Sequence, residues 1–140
     1  MNYMNLENKS LRYNTGKPRY TLLNFEALEP ITRVLEYGEH KYSIFEDAEG
    51  NKITGAKVSK EEVQEKGLKL VSSGRDNWKI DLNPTEILDS LTRHLGAIID
   101  GQELDKESNL PHIGHLGCNY LFYVYHYYIK NKQNGLQTSN

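Results

Sequence analysis

The sequence predicts a mainly α-helical fold, an antiparallel helix bundle carrying a small β-hairpin insertion. Two long stretches of helical periodicity near the C-terminal half predict it, joined by a short polar connector and preceded by a third such stretch after Asn24. At 140 residues the chain can build one core but not two, so residues 1–140 are read as a single domain.

The elements follow in order. Met1 to Thr21 has little periodicity, and Gly16-Lys17-Pro18-Arg19 reads as an extended or turning arm. Asn24 caps a first helix, in which Phe25, Leu28, Ile31, Val34 and Leu35 recur at helical spacing to about His40, with Pro30 expected to kink or restart it. Residues 43–73 read as a flap-like insertion. Ser43-Ile44-Phe45 and Lys52-Ile53-Thr54 flank the turn Glu49-Gly50-Asn51, and Ser59 with Glu62 forms a capping box for a short helix ending at Gly67. Leu68-Lys69-Leu70-Val71 then returns as a strand. Asn83-Pro-Thr-Glu supplies a cap, a proline at the first helical position and a glutamate at the third. Leu88, Leu91, Leu95 and Ile98 form the apolar stripe of that helix, which Gly101 ends. After Gln102 to Ser108, a second long helix is predicted from about Leu110 to Lys130. Its apolar stripe is Ile113, Leu116, Tyr120, Val124 and Tyr127, widened by Leu121 and Tyr128. Residues 131–140 read as a flexible tail.

Composition narrows the function. A net charge of −2, with acidic and basic residues intermixed, provides no positive field for a nucleic-acid duplex. The single Cys118 excludes an internal disulfide and a thiolate zinc cluster and fits a reducing cytoplasm. Met1 to Leu11 lacks the apolar core of a signal peptide, and Tyr120 to Tyr128 is too short to cross a bilayer. Phosphate-binding Gly-rich loops, a His-Glu-x-x-His helix and a nucleophile elbow are all missing from the sequence. Ten tyrosines against three phenylalanines suit either a wet pocket that stacks a ring or a subunit interface.

Two polar stripes carry the candidate chemistry. Glu86, Asp89 and Arg93 share one helix face, with Asp100 further on, and His112, His115, Asn119 and His126 share a face of the next helix. If the helices pair, carboxylates suited to Mg²⁺ or Mn²⁺ face imidazoles suited to phosphate or proton transfer; the alternative is a solvated face with ion pairs such as Asp89 to Arg93. His94 lies on the shoulder of the apolar stripe. Lys17 and Arg19 bracket a stiff proline and offer two cations to a phosphate, and Trp78 with Asn77 offers a ring and a carboxamide to a base.

The ordered series Lys17-Pro18-Arg19, Tyr37-Gly38, Lys41-Tyr42, Asn77-Trp78, Arg93-His94-Leu95, Asp105, Glu107-Ser108, Leu110-Pro111-His112, His115 and Asn119 resembles a phage and prophage family, the dATP/dGTP diphosphohydrolase N-terminal domain. The resemblance spans roughly Gly16 to Phe122. It implies a helical fold similar to the MazG-type pyrophosphohydrolases, purine deoxynucleotide binding and pyrophosphate release with a divalent metal, Mg²⁺ or Mn²⁺. Carried onto this chain, it implies metal ligands at Glu36, Glu39, Glu86 and Asp89, although Leu35 stands where a further glutamate is expected. Glu86, Asp89, His112 and His115 become the catalytic set, and Lys17, Arg19, Tyr37, Lys41, Asn77, Trp78, Arg93, His94 and Asn119 the nucleotide-binding set. A second reading is a non-catalytic sponge without a cofactor, which sequesters a nucleotide immune signal such as a cyclic oligonucleotide or an ADP-ribose derivative. Under either reading the broad aromatic stripe predicts a homo-oligomer.

Overall fold

The computed structural model describes residues 11–133 and 135; the expectations for the first ten residues and for most of the tail lie outside them. Helix α1 (Phe25–Lys41) starts where predicted, with Asn24 Oδ1 accepting from Ala27 N at 3.0 Å, and Pro30 lies inside it without ending it. Strands β1 (Ile44–Glu46) and β2 (Lys52–Thr54) pair antiparallel with Phe45 opposite Ile53. Their turn is held by Asp47 Oδ1, which accepts from the backbone N–H groups of Glu49 and Asn51, while Gly50 takes a φ of +87°. Helix α2 (Lys60–Glu65) carries the full Ser59–Glu62 capping box. Strand β3 (Lys69–Ser72) pairs with the other edge of β1, so the insertion is a three-stranded sheet in the order β2-β1-β3, one strand larger than a hairpin.

The sheet is moored to the C-terminal end of α1. Phe45 and Val58 are buried, the Phe45 ring lies 5.5 Å from that of His40, and His40 Nε2 meets the Val58 carbonyl at 2.6 Å. Ser43 Oγ donates to Glu39 O at 2.6 Å and accepts from Gly74 N at 2.9 Å. A side chain at Gly74 would run into the Glu39 and Tyr42 backbone.

Helix α3 (Pro84–Ile99) has Asn83 as its cap, accepting from Thr85 N at 2.8 Å, and the chain leaves it through Gly101 at φ +80°. Helix α4 (His112–Tyr123) begins two residues later than expected, after Pro111. It gives way to a π-helical stretch, Val124–Ile129, and then to helix α5 (Lys130–Gln133), which carries the helix into the segment read as tail. Against α3, the α4 contacts run in opposite directions: Asn119 meets Ser90 and His115 meets His94.

The faces of these helices correct the sequence expectation. On α3 the buried residue is Ile87, while Leu88 and Leu95 are each 41% exposed. On α4 and its π-helical continuation much of the expected apolar stripe points outward, with Ile113 at 53% and Tyr120 at 58% exposed and Leu116 and Val124 half-buried, whereas His112, Asn119 and His126 of the polar stripe are buried, as are Gly114 and Cys118. Size explains the inversion. A Cβ at Gly114 would collide with the Pro30 carbonyl, one at Gly117 with the Ile31 side chain, and Cys118 Sγ reaches the Ile31 carbonyl oxygen at 3.3 Å. Only small residues allow α1 so close: Gly114, Gly117 and Cys118 form the side of α4 that meets α1, and His112, His115 and Asn119 lie on the adjoining side, against α3. No helix among the described residues is long and apolar enough to cross a membrane.

Gly114→Ala should therefore push α1 from α4 and cost about 1–3 kcal/mol, the usual penalty of overpacking. Gly96→Ala meets open space and should be neutral or stabilising by up to about 1 kcal/mol. Urea unfolding of both variants checks this; equal midpoints would contradict the close approach.

Candidate functional site

The seam between α3 and α4 opens into a cleft of about 690 Å³, a volume suited to a small molecule. Val34, Tyr37, Lys41 and Tyr42 of the α1 end line it, with Glu86, Ser90, Arg93 and His94 of α3, Asp105 and Glu107 of the connector, and His112, His115, Asn119 and Phe122 of α4. Ten residues of helix separate His112 from Phe122, about 15 Å along the axis. The cleft thus has an imidazole end and an apolar end.

At the imidazole end, three histidines meet. His94 Nδ1 lies 2.8 Å from His112 Nδ1, and the His94 and His115 rings stack at 4.5 Å with 7° between their planes. Burial lowers the basicity of both His94 and His115, and each is pushed further down by neighbouring imidazoles against the pull of Asp105. Both are therefore held toward the neutral form, which keeps a lone pair for a proton or a ligand.

The connector between α3 and α4 is a built turn. Asp105 N donates to Leu110 O at 2.8 Å, Asn109 N donates to Asp105 O at 2.8 Å with Asn109 at φ +58°, and Leu104 bridges Pro111. Asp105 Oδ2 accepts from Glu107 N at 3.1 Å, Ser108 N at 2.8 Å and Ser108 Oγ at 3.1 Å. Burial raises the Asp105 carboxyl, but these Ser108 bonds and the nearby His115 and His94 bring it below its ordinary value. Ser108 Oγ also lies 2.6 Å from His115 Nε2. A consistent proton arrangement has His115 Nε2–H donating to Ser108 and the Ser108 hydroxyl donating to Asp105.

Beside this turn, Lys41 Nζ and Glu107 Oε1 pair at 2.6 Å, joining α1 to the connector. The hydrogen bond to Glu107 raises the Lys41 ammonium, while burial and then the Glu107 charge raise Tyr37. At mid-cleft, Asn119 Nδ2 donates to Ser90 Oγ at 3.1 Å and to His115 O at 2.9 Å.

The structure brings together Tyr37, Lys41, Glu86, Arg93, His94, His112, His115 and Asn119. Lys17 and Arg19 are exposed on the arm and do not line the cleft. Asn77, Trp78 and Glu39 line a neighbouring hollow of about 110 Å³. There Trp78 stacks on Phe122 at 5.1 Å and meets Tyr125 edge-on, while buried His126 reaches the Trp78 carbonyl. Glu36 is tied to Arg33 at 3.1 Å, and exposed Asp89 does not line the cleft, so the four carboxylates do not converge. Buried Cys118, its thiol pushed up to about 12 by burial, is not a nucleophile. Reasoning from periodicity missed Asp105, Glu107 and Ser108 as functional groups because they stand in a polar connector. Their signal was local: an aspartate followed by a serine three residues on, just before Leu-Pro-His, marks an Asx turn.

One family model, described as dATP/dGTP diphosphohydrolase, N-terminal, matches residues 7–135. No curated protein and no solved structure matches the chain.

Because the fold holds His94 and His115 toward their neutral forms, the unfolded chain binds more protons just below the ordinary histidine value of about 6.5. The stability they contribute is complete above that value and falls as pH drops through the lowered range. Asp105, also lowered, gives way only further down, below the ordinary carboxylate range of about 4. Urea midpoints measured from about pH 7.5 to 5.5 should decline, and a flat profile would contradict buried neutral imidazoles.

Proposed function

The chain belongs to the dATP/dGTP diphosphohydrolase N-terminal family, and we propose that its cleft binds a purine nucleotide and releases pyrophosphate from it. What supports this reading is one cleft that combines cations and imidazoles at one end with an apolar, aromatic end about a nucleotide's length away. Phosphates belong at the imidazole end. There the Arg93 guanidinium forms charge-assisted hydrogen bonds to phosphate oxygens, and Lys41, positioned by Glu107, adds a second cation. Phe122, Leu82 and Ile87 offer the base an apolar seat, and Asn119 and Ser90 offer polar contacts to the sugar.

A neutral buried imidazole is a competent base for an attacking water. His115 fits that role best, since Ser108 fixes its Nε2 and leaves Nδ1 to take the proton. A divalent ion, when bound, draws charge off the phosphoryl oxygens and acidifies water.

A second reading is retention without turnover, as by a sponge for a nucleotide signal, and the failure of the four carboxylates to converge favours it. Incubation with dATP, dGTP, cyclic oligonucleotides and ADP-ribose derivatives in Mg²⁺ or Mn²⁺, with chromatography before and after heat denaturation, separates the two. Pyrophosphate and a nucleoside monophosphate mark the enzyme, and intact ligand freed only by heat marks the sponge. No uptake would end both. Arg93→Ala should weaken nucleotide binding by about 10- to 100-fold, the value of a charged hydrogen bond; unchanged affinity in a calorimetric titration would remove phosphate from this end.

We also propose that the chain works as a homo-oligomer. Among the described residues five apolar side chains are buried, while Ile113, Tyr120, Tyr127 and Ile99 each stand more than half exposed on the long helices. Sedimentation at micromolar concentration should give at least a dimer, and Tyr120→Glu should dissociate it; a monomeric wild type would leave that face to another partner.

A further inference from the structure

We propose that His94, Asp105 and His112 form a site for one first-row transition-metal ion, Mn²⁺, Fe²⁺, Co²⁺ or Zn²⁺, in preference to Mg²⁺. The three side chains come from three parts of the chain: α3, the connector turn and the first residue of α4. One ligand atom from each lies within 4.8 Å of the other two. The two Nδ1 atoms are 2.8 Å apart. Ligands on bonds of about 2.1 Å sit about 3.0 Å apart at right angles and about 3.4 Å apart in a tetrahedron, so this imidazole pair is nearly at coordinating separation. Two like nitrogens facing each other also require a cation or a shared proton between them, because two bare lone pairs repel.

Asp105 completes the set. Its Oδ2 accepts all of the side chain's hydrogen bonds, from Glu107 N, Ser108 N and Ser108 Oγ, and its Oδ1 accepts none among the described residues. The turn thus fixes the carboxylate and spares one oxygen. The three ligand atoms lie within 4.8 Å of one another, close to the roughly 4.2 Å that two opposed bonds can span.

The donor types decide the ion. Two imidazoles with one carboxylate suit first-row transition ions, whereas Mg²⁺ prefers oxygen ligands and keeps its waters. Three protein donors leave positions for water or a phosphate oxygen, and the site lies in the wall of the cleft beside Arg93. Its role in turnover rests on the nucleotide reading of that cleft; binding of the ion does not. Ser108, bridging Asp105 and His115, is a positioning residue, since outer partners of this kind orient metal ligands.

The test is titration of tag-free, chelator-treated protein with Co²⁺, followed by visible absorption and by calorimetry. One ion per chain is expected. His94→Gln and Asp105→Asn should each weaken it by about 100-fold or more, and Ser108→Ala by about 10-fold. His112 is buried and its loss endangers folding, so the two more exposed ligands carry the test, with circular dichroism confirming the fold. Glu36→Gln with Asp89→Asn should bind Co²⁺ like the wild type. No Co²⁺ binding, wild-type affinity in folded His94→Gln and Asp105→Asn, or loss confined to the Glu36 and Asp89 variant would each overturn the site. Uptake of dGTP is measured separately, with and without added divalent ion. Ion binding without nucleotide uptake keeps the site and sinks the nucleotide reading, and uptake without ion binding does the reverse.

Discussion

The close contact of α4 with α1, on a face made of Gly114, Gly117 and Cys118, is the constraint on which the rest of the structure depends. Gly114 and Gly117 bring α1 against α4, and the adjoining face of α4, which carries His112, His115 and Asn119, is then enclosed against α3. Enclosed polar groups need partners, since each unsatisfied one costs about 1–3 kcal/mol. Asn119 finds Ser90 and a carbonyl, His112 finds His94, and His126 finds the Trp78 carbonyl. No buried side-chain nitrogen or oxygen among the described residues lacks a partner.

The same enclosure builds the cleft. The imidazoles of α4 meet His94 of α3 directly, and the space beside them is lined by Lys41 and Arg93. The connector closes one end as a fastened turn, with its backbone N–H groups spent on one oxygen of Asp105. Rigidity there matters more than strength, because a carboxylate on a loose loop would not hold a fixed distance to His94 and His112.

Turning its polar stripe inward leaves α4 with its aromatic stripe in solvent. A helix face carrying Ile113 and Tyr120 is apolar surface that a single small body leaves uncovered, and it is the face on which the proposed self-association rests. The abundance of tyrosine suits that position, since its ring tolerates burial and its hydroxyl tolerates water.

Local chemistry made the boundaries legible in the sequence. Asn24, the Ser59–Glu62 box, Asn83-Pro84 and Gly101 act through neighbours within a turn, and each stands where it was read. So did the grouping of His112, His115 and Asn119, because helical spacing alone puts them on one face. The sequence also carried the family, through an ordered series of short motifs. What it did not determine was which face turns inward: periodicity ranks stripes by hydrophobicity, whereas tertiary packing selected the stripe narrow enough to admit a second backbone. Nor could it bring Asp105 to His94 and His112, since that meeting depends on the path of a turn and the antiparallel register of two helices. The apparent carboxylate set failed to assemble for the same reason, as Glu36 and Asp89 occupy faces that the packing directed away from the cleft.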